Sequence, residues 1–167
     1  MTTSRTAARP AAGGREVTRL LDQLERAYAG DAWHGTPVRT MLEDVDARFA
    51  SARPVPGAHT IWELVDHIAW WLDAATRRLG GEVVQPADGE DWPASPAPTS
   101  AAWAATQRAL AGAHERLAAA VRRLGDEELD GPVPGKGYTK YVLVHGVLQH
   151  ELYHAGQIGL LKRAARP

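Results

Sequence analysis

A row of apolar residues that recurs every seven positions constrains the fold of this chain more than any other feature. The row lies in the third quarter of the sequence and consists of Trp103, Leu110, Leu117 and Leu124, with Thr106, Ala113 and Ala120 between them. Residues at this spacing return to one side of an α-helix every two turns, so the row predicts a long helix with one apolar face. Thr99 or Ser100 is placed to cap its start, and Gly125 is placed to end it.

Three other segments have the same helical periodicity, at about 17–30, 60–81 and 138–162. A shorter helix-like piece follows the first of them, around 38–45, and the proline-rich stretch 80–98 is expected to be a long surface loop. No segment alternates apolar and polar residues in the manner of a strand. The pattern therefore predicts an all-α four-helix bundle, with one long crossover loop and a short extra helix after the first helix.

Length and charge limit what the protein can bind. The 167 residues suffice for one domain, which we expect over 15–165 after a disordered leader at 1–14 that has no apolar signal core. The 19 Lys and Arg are balanced by 20 Asp and Glu, which gives no positive surplus for nucleic acid or an anionic membrane. No stretch approaches the roughly 20 apolar residues of a membrane span. We expect a cytoplasmic protein with neither partner.

The chain contains no cysteine. This excludes disulfides, a thiolate nucleophile and any cysteine-based zinc or iron–sulfur site. A metal would have to be held by histidine and carboxylate side chains. Any thiol chemistry would need a thiol that a cosubstrate supplies.

The segment 150–154 reads HELYH, which matches the His-Glu-x-x-His pattern of zinc metalloproteases. Only thirteen residues follow His154, and none of them is His, Asp, Glu or Cys. Proteases of this type usually take their third zinc ligand from further downstream. The pattern therefore does not predict a protease, and a third ligand would have to come from upstream.

Two histidines interrupt the apolar face of the last helix. His150 and His154 are four residues apart on the row formed by Leu143, Val147, Ile158 and Leu161. Burying unpaired polar groups costs about 1–3 kcal/mol each, so the pair needs either a metal or buried hydrogen bonds. His67, between Val65 and Ile68 on the second long helix, is the best third ligand, because facing helices of a bundle can share one ion.

The remaining polar candidates are weaker. His34 and His59 lie in connectors and His114 lies at the margin of its helix's apolar row; His34 is the strongest of these three. His145 lies on the opposite side of the last helix from the pair, at a surface or an interface. Glu151 is off the line of the pair, which favours a solvated carboxylate over one beside the site.

Two segments then support a family resemblance. TIWELVDHIAWW at 60–71 and HGVLQHELYHAGQIGLLKRA at 145–164, together with AWHG at 32–35, resemble the DinB-like (DinB/YfiT) superfamily of metal-dependent four-helix bundles. The resemblance implies one divalent metal ion on His67, His150 and His154, with positions open to water or substrate. For a site of three imidazoles we expect zinc or nickel, with iron as a further option. It also implies a homodimer. Some members resemble transferases that use a low-molecular-weight thiol.

Three functions remain open from the sequence. The first is a metal-dependent enzyme, a thiol S-transferase or a hydrolase that acts on a small molecule. The second is a non-catalytic metal-binding protein of a stress response. The third is a structural bundle whose histidines form buried hydrogen bonds. Glu151, Glu63 and His34 are candidates for a general base, and no pattern distinguishes among them.

Overall fold

The computed structural model describes residues 14–165, so the expected leader at 1–14 lies outside it except for Gly14. Within these residues the chain forms six α-helices and no strand. They are α1 Arg15–Tyr28, α2 Val38–Leu42, α3 Ala47–Ser51, α4 Ile61–Leu79, α5 Ser100–Arg122 and α6 Lys140–Ala164, with a 3-10 turn at Asp126–Glu128. The all-α prediction is confirmed. None of the helices between 14 and 165 is long and apolar enough to cross a lipid bilayer.

Threonine caps begin the three longest helices. Thr60, Thr99 and Thr139 precede α4, α5 and α6, and each hydroxyl accepts a hydrogen bond from the backbone N–H three residues later. At α4 the arrangement is reciprocal, because Glu63 in turn accepts the Thr60 N–H at 2.8 Å. A cap of this kind stabilises a helix by about 1 kcal/mol. The starts predicted at Thr60 and Thr99 are confirmed, and α6 begins slightly later than expected.

The segment between α1 and α4 contains two short helices, whereas the sequence predicted one. The helix missed is α3, which starts where the Asp46 carboxylate accepts the Phe49 N–H at 2.7 Å. Ala47 and Ala50 are buried, and α3 packs against α4 and α5. Because α3 spans little more than one turn, it is too short to show a helical period in the sequence. Its capping residue is the one sequence feature that indicates this helix.

The four long helices pack in a ring. α4 contacts α5 and α6, and α1 contacts the same two helices from the other side. The ring buries Trp103, Leu110, Ala113 and Leu117 of α5, together with Leu20, Leu24, Ile68, Leu72 and Ile158. Two indoles join elements through buried hydrogen bonds, from Trp62 to the Thr106 hydroxyl at 3.0 Å and from Trp103 to the Val45 carbonyl at 2.6 Å. This packing sets α4 and α6 side by side, which brings their histidine-bearing faces together.

Candidate metal centre

Three imidazoles converge between α4 and α6. His67 comes from the middle of α4, and His150 and His154 come from successive turns of α6. The His150 Nε2 atom lies 3.0 Å from His67 Nε2 and 3.0 Å from His154 Nε2, and the potential ligand atoms of the three residues all lie within 4.8 Å of one another. The structure thus assembles the three histidines that the sequence singled out.

The spacing of these nitrogens fits a common ion. Zinc–nitrogen bonds are about 2.0–2.1 Å long, so two ligands of one zinc ion are separated by about 3 Å. The two 3.0 Å separations that involve His150 Nε2 match this value.

Hydrogen bonds at the far side of two rings set their tautomers. His67 Nδ1 donates to the Asp91 carbonyl oxygen at 2.6 Å, and His154 Nδ1 donates to Gln157 Oε1 at 2.7 Å. A neutral imidazole that donates from Nδ1 carries its lone pair on Nε2. Both lone pairs are thereby directed at His150. Such donation from the second nitrogen to a carbonyl is the usual outer support of a metal-bound histidine.

Hydrogen bonding within the cluster does not satisfy His150. Its Nε2 has either one proton or one lone pair, so it cannot form two full hydrogen bonds to the two neighbouring nitrogens. Its Nδ1 is buried and has no hydrogen-bond partner anywhere in the described chain. A cation that accepts all three Nε2 lone pairs would resolve the conflict at these nitrogens, and the residues present therefore fit a divalent metal ion.

The electrostatics keep the three rings neutral at pH 7. Burial, and next the proximity of His154 and His67, lower the pKa of His150 to about 4. Burial also lowers the pKa of His67 and of His154. Neutral imidazole is the form that binds a metal, so the site does not have to release protons at neutral pH before it can accept an ion.

The long loop at 80–98 covers one side of the cluster. The indole of Trp92 stacks on the His67 ring at a centroid distance of 3.7 Å, and His59 stacks on the opposite face of the indole at 3.6 Å. The loop also supplies the Asp91 carbonyl that orients His67. The loop is therefore part of the site and not only a surface connection.

The other histidine candidates lie outside the cluster. His34 is exposed beside Trp33, and His59 stacks on Trp92. His114 is buried on α5 and stacks on Tyr28 at 4.3 Å. His145, half-buried on α6, packs against Tyr141 at a centroid distance of 4.4 Å.

Residues 31–158, more than half of the chain, match the family model of the DinB superfamily. The chain belongs to the DinB superfamily. The match includes all three clustered histidines and the Trp92 loop, and it confirms the resemblance found in the sequence. No curated protein matches the chain, and no solved structure matches it.

In this DinB-superfamily chain Glu151 is buried, and the expectation of a solvated carboxylate was wrong. The side chain is 0% exposed, and neither oxygen has a hydrogen-bond partner among residues 14–165. Burial raises the pKa of Glu151 to about 8, so the carboxyl is mainly protonated at pH 7. Because α6 packs against both α4 and α1, it buries a second row: Val144, Leu148, Glu151 and Ala155.

Glu63 is not available as a base. One carboxylate oxygen accepts the Thr60 N–H at 2.8 Å, and the other accepts from Arg53 at 2.7 Å. Partial burial disfavours its charge, but these hydrogen bonds outweigh that effect and lower the pKa of Glu63. Glu63 serves the start of α4, and the structure singles out no general base at the histidine cluster.

A cavity of about 400 Å³ opens beside His67 and His150, between α4 and α6. This volume is within the range of small-molecule sites. Most of its walls are apolar or aromatic, and the lining outside the histidines consists of Trp71, Ala75, Arg78, Asp91, Tyr138, Val142, Leu143, Gly146 and Val147. The cluster therefore lies at the wall of a chamber that can admit a small molecule.

Proposed function

We propose that this protein is a metal-dependent enzyme whose divalent metal ion is held by His67, His150 and His154. The observation that carries the proposal is the convergence of three neutral imidazoles, in which His150 Nε2 lies 3.0 Å from each of the other two Nε2 atoms and hydrogen bonding leaves His150 unsatisfied. Three imidazoles bind zinc and nickel tightly by the Irving–Williams order, and iron less tightly. When bound, the metal supplies Lewis acidity at a position open to a small molecule.

The reaction we propose is thiol S-transfer or hydrolysis on a small molecule. The chain has no cysteine, so we expect the nucleophile to come from a thiol cosubstrate or from water. The protein's own groups hold the ligands in place through Asp91 and Gln157. The adjoining cavity, with Trp71 and Val147 in its walls, binds the substrate and limits the access of water.

A non-catalytic metal-binding protein of a stress response is the second candidate. It is favoured by the Asp91 carboxylate, whose Oδ2 lies 3.8 Å from His67 Nδ1 and which lines the cavity. A shift of the loop that carries Asp91 would add a fourth protein ligand and close the coordination sphere. Structural zinc sites are closed in this way, whereas catalytic sites keep one position open.

Activity assays on the zinc-loaded and nickel-loaded protein distinguish the two. We expect the loaded protein to accelerate either the displacement of chloride from 1-chloro-2,4-dinitrobenzene by a thiol or the hydrolysis of 4-nitrophenyl acetate, and we expect EDTA treatment to remove that activity. His150→Ala should be inactive, and His145→Ala, on the same helix outside the cluster, should keep the activity. A loaded protein that is inactive with both probes and with further thiols and esters would favour the non-catalytic candidate.

We also propose that the protein is a homodimer formed through α6. Val142, Tyr153 and Leu160 are exposed and lie on one face of α6. Gly146, Gln149 and Gly156 interrupt the same face, and an added Cβ at either glycine would contact nothing within 4 Å. An exposed apolar row with gaps of this size favours close packing of a second helix, and a second copy of α6 is self-complementary across a two-fold axis.

Light scattering after size exclusion tests the dimer. Tyr153→Glu introduces a charge in the middle of the α6 row, and we expect it to shift the protein from dimer to monomer. Val83→Glu, at an equally exposed apolar side chain on the 80–98 loop, is the matched control and should remain dimeric. A wild-type protein that is monomeric at micromolar concentration would contradict the proposal.

A further inference from the structure

The cavity beside the histidines contains a buried cation that the proposed metal chemistry does not use. The Arg78 side chain, in the last turn of α4, is 4% exposed. Its Nη2 and Nε donate to the Val84 carbonyl oxygen at 2.9 and 3.3 Å, and its Nη1 reaches the Tyr138 hydroxyl at 3.4 Å. In the part of the chain that the structure describes, no ion pair includes Arg78.

An unpaired buried guanidinium needs a reason. Charged groups are almost never buried without a partner of opposite charge, because the loss of hydration costs several kcal/mol. Arg77, one residue earlier, shows the ordinary arrangement: it is exposed and pairs with Glu82 at 2.8 Å. Lys136 adds a second positive charge near Arg78. Burial lowers the pKa of Lys136, and the nearby Arg78 charge lowers it as well. Within the described residues the Arg78 charge therefore has no anionic partner, and an anion from outside the chain would fill that role.

The position of Arg78 relates this cation to the histidines. Arg78 follows His67 by eleven residues, which is three helical turns, so both side chains lie on one face of α4 with Cα atoms about 16 Å apart. Helical side chains lean toward the N-terminus, and the Arg78 guanidinium carbon lies 5.2 Å from the Trp71 ring centroid. The Trp71 ring in turn lies 5.8 Å from that of His150. The cavity thus has a guanidinium at one end, imidazoles at the other and apolar walls between them.

We propose that this cavity binds a small organic carboxylate, with the carboxylate on Arg78 and an apolar body along Trp71. Guanidinium matches a carboxylate through paired N–H donors, and the apolar walls suit a hydrocarbon body. Asp91 lines the histidine end of the same cavity, and its negative charge opposes a carboxylate there. The ligand is thereby oriented with its anionic group away from the histidines and its opposite end toward them. The role of that opposite end rests on the proposed function, whereas the carboxylate site does not require a metal.

Calorimetric titration with 4-phenylbutanoate and with its uncharged match, 4-phenylbutanamide, tests the proposal. We expect the carboxylate to bind about 10- to 100-fold more tightly than the amide, the gain from one charge-assisted pair. The preference should be present in both the zinc-loaded and the EDTA-treated protein. Arg78→Met should remove it, Arg78→Lys should retain part of it, and Arg77→Met, which deletes an exposed charge from the same turn, should leave it intact.

Three results would overturn the proposal. One is equal affinity for the two probes, or no binding of either, in the wild-type protein. Another is a carboxylate preference that survives in a folded Arg78→Met variant. The third is a preference for the carboxylate that appears only with zinc, that the His150→Ala variant loses and that the Arg78→Met variant retains. The carboxylate would then be bound at the metal and not at Arg78. If no metal binds and the EDTA-treated protein still prefers the carboxylate, the proposed function fails and the Arg78 site stands.

Discussion

Replacing any one of His67, His150 and His154 by alanine is expected to weaken zinc binding by about 100-fold or more. Zinc sites with four protein ligands bind with apparent free energies of about 10–16 kcal/mol, which is roughly 3 kcal/mol for each ligand. The loss should be similar for the three residues, because each contributes one Nε2 atom to the same point. Competition with a chromophoric chelator measures the affinity.

His145→Ala is the control for these variants, since it removes a histidine from α6 without touching the cluster. It should bind zinc as tightly as the wild-type protein. If replacing one of the three histidines left the zinc affinity unchanged, the imidazole of that histidine would not bind the ion. If only the His67 variant kept its affinity, the ion would be held by α6 alone.

Replacing Glu151 by leucine is expected to raise the free energy of unfolding of the metal-free protein by about 2–3 kcal/mol. The carboxyl group is 0% exposed and both oxygens lack partners in residues 14–165. A buried polar group without a hydrogen bond costs about 1–3 kcal/mol, and leucine would fill a similar volume with apolar atoms. Urea denaturation at pH 7 in the presence of EDTA measures the change.

Glu151→Gln is the matched control, because it retains two buried polar groups and should show little of the gain. Neither variant should lose zinc affinity by more than a few-fold, since Glu151 belongs to the second buried row of α6 and is not one of the three clustered ligands. A Glu151→Leu variant that is less stable than the wild-type protein would show that the carboxyl group forms a favourable interaction in the folded chain.

Helical periodicity explains why much of this structure could be predicted from the sequence. Side-chain direction on a helix repeats every 3.6 residues, so spacing alone placed Leu110 and Leu117 in the core and His150 beside His154. Thr60 and Thr99 were readable as caps because a side-chain acceptor at the first residue of a helix has a fixed role. His67 followed from the same logic, since an imidazole inside an apolar row has to meet a partner.

The misses have physical causes. Glu151 was predicted to lie in solvent because only one buried row was assumed for α6, although a helix between two neighbours buries two rows. Leu148 and Ala155 flank Glu151 at helical spacing, and this apolar spacing indicates the second row in the sequence. Trp92 lies in an irregular loop, whose path over His67 is set by tertiary contacts and has no period in the sequence. Arg78 appears in the sequence as one more charge at a helix end, and only the packed loop at 80–98 shows that it is buried.

Elemental analysis of the purified protein tests the three-histidine centre most directly. We expect about one zinc, nickel or iron ion per chain, either as purified or after reconstitution. We expect none in a His150→Ala, His154→Ala double variant that circular dichroism shows to be folded. A wild-type protein that contains no metal even after reconstitution with zinc and nickel would contradict the account, and the three histidines would then be hydrogen-bonded core residues.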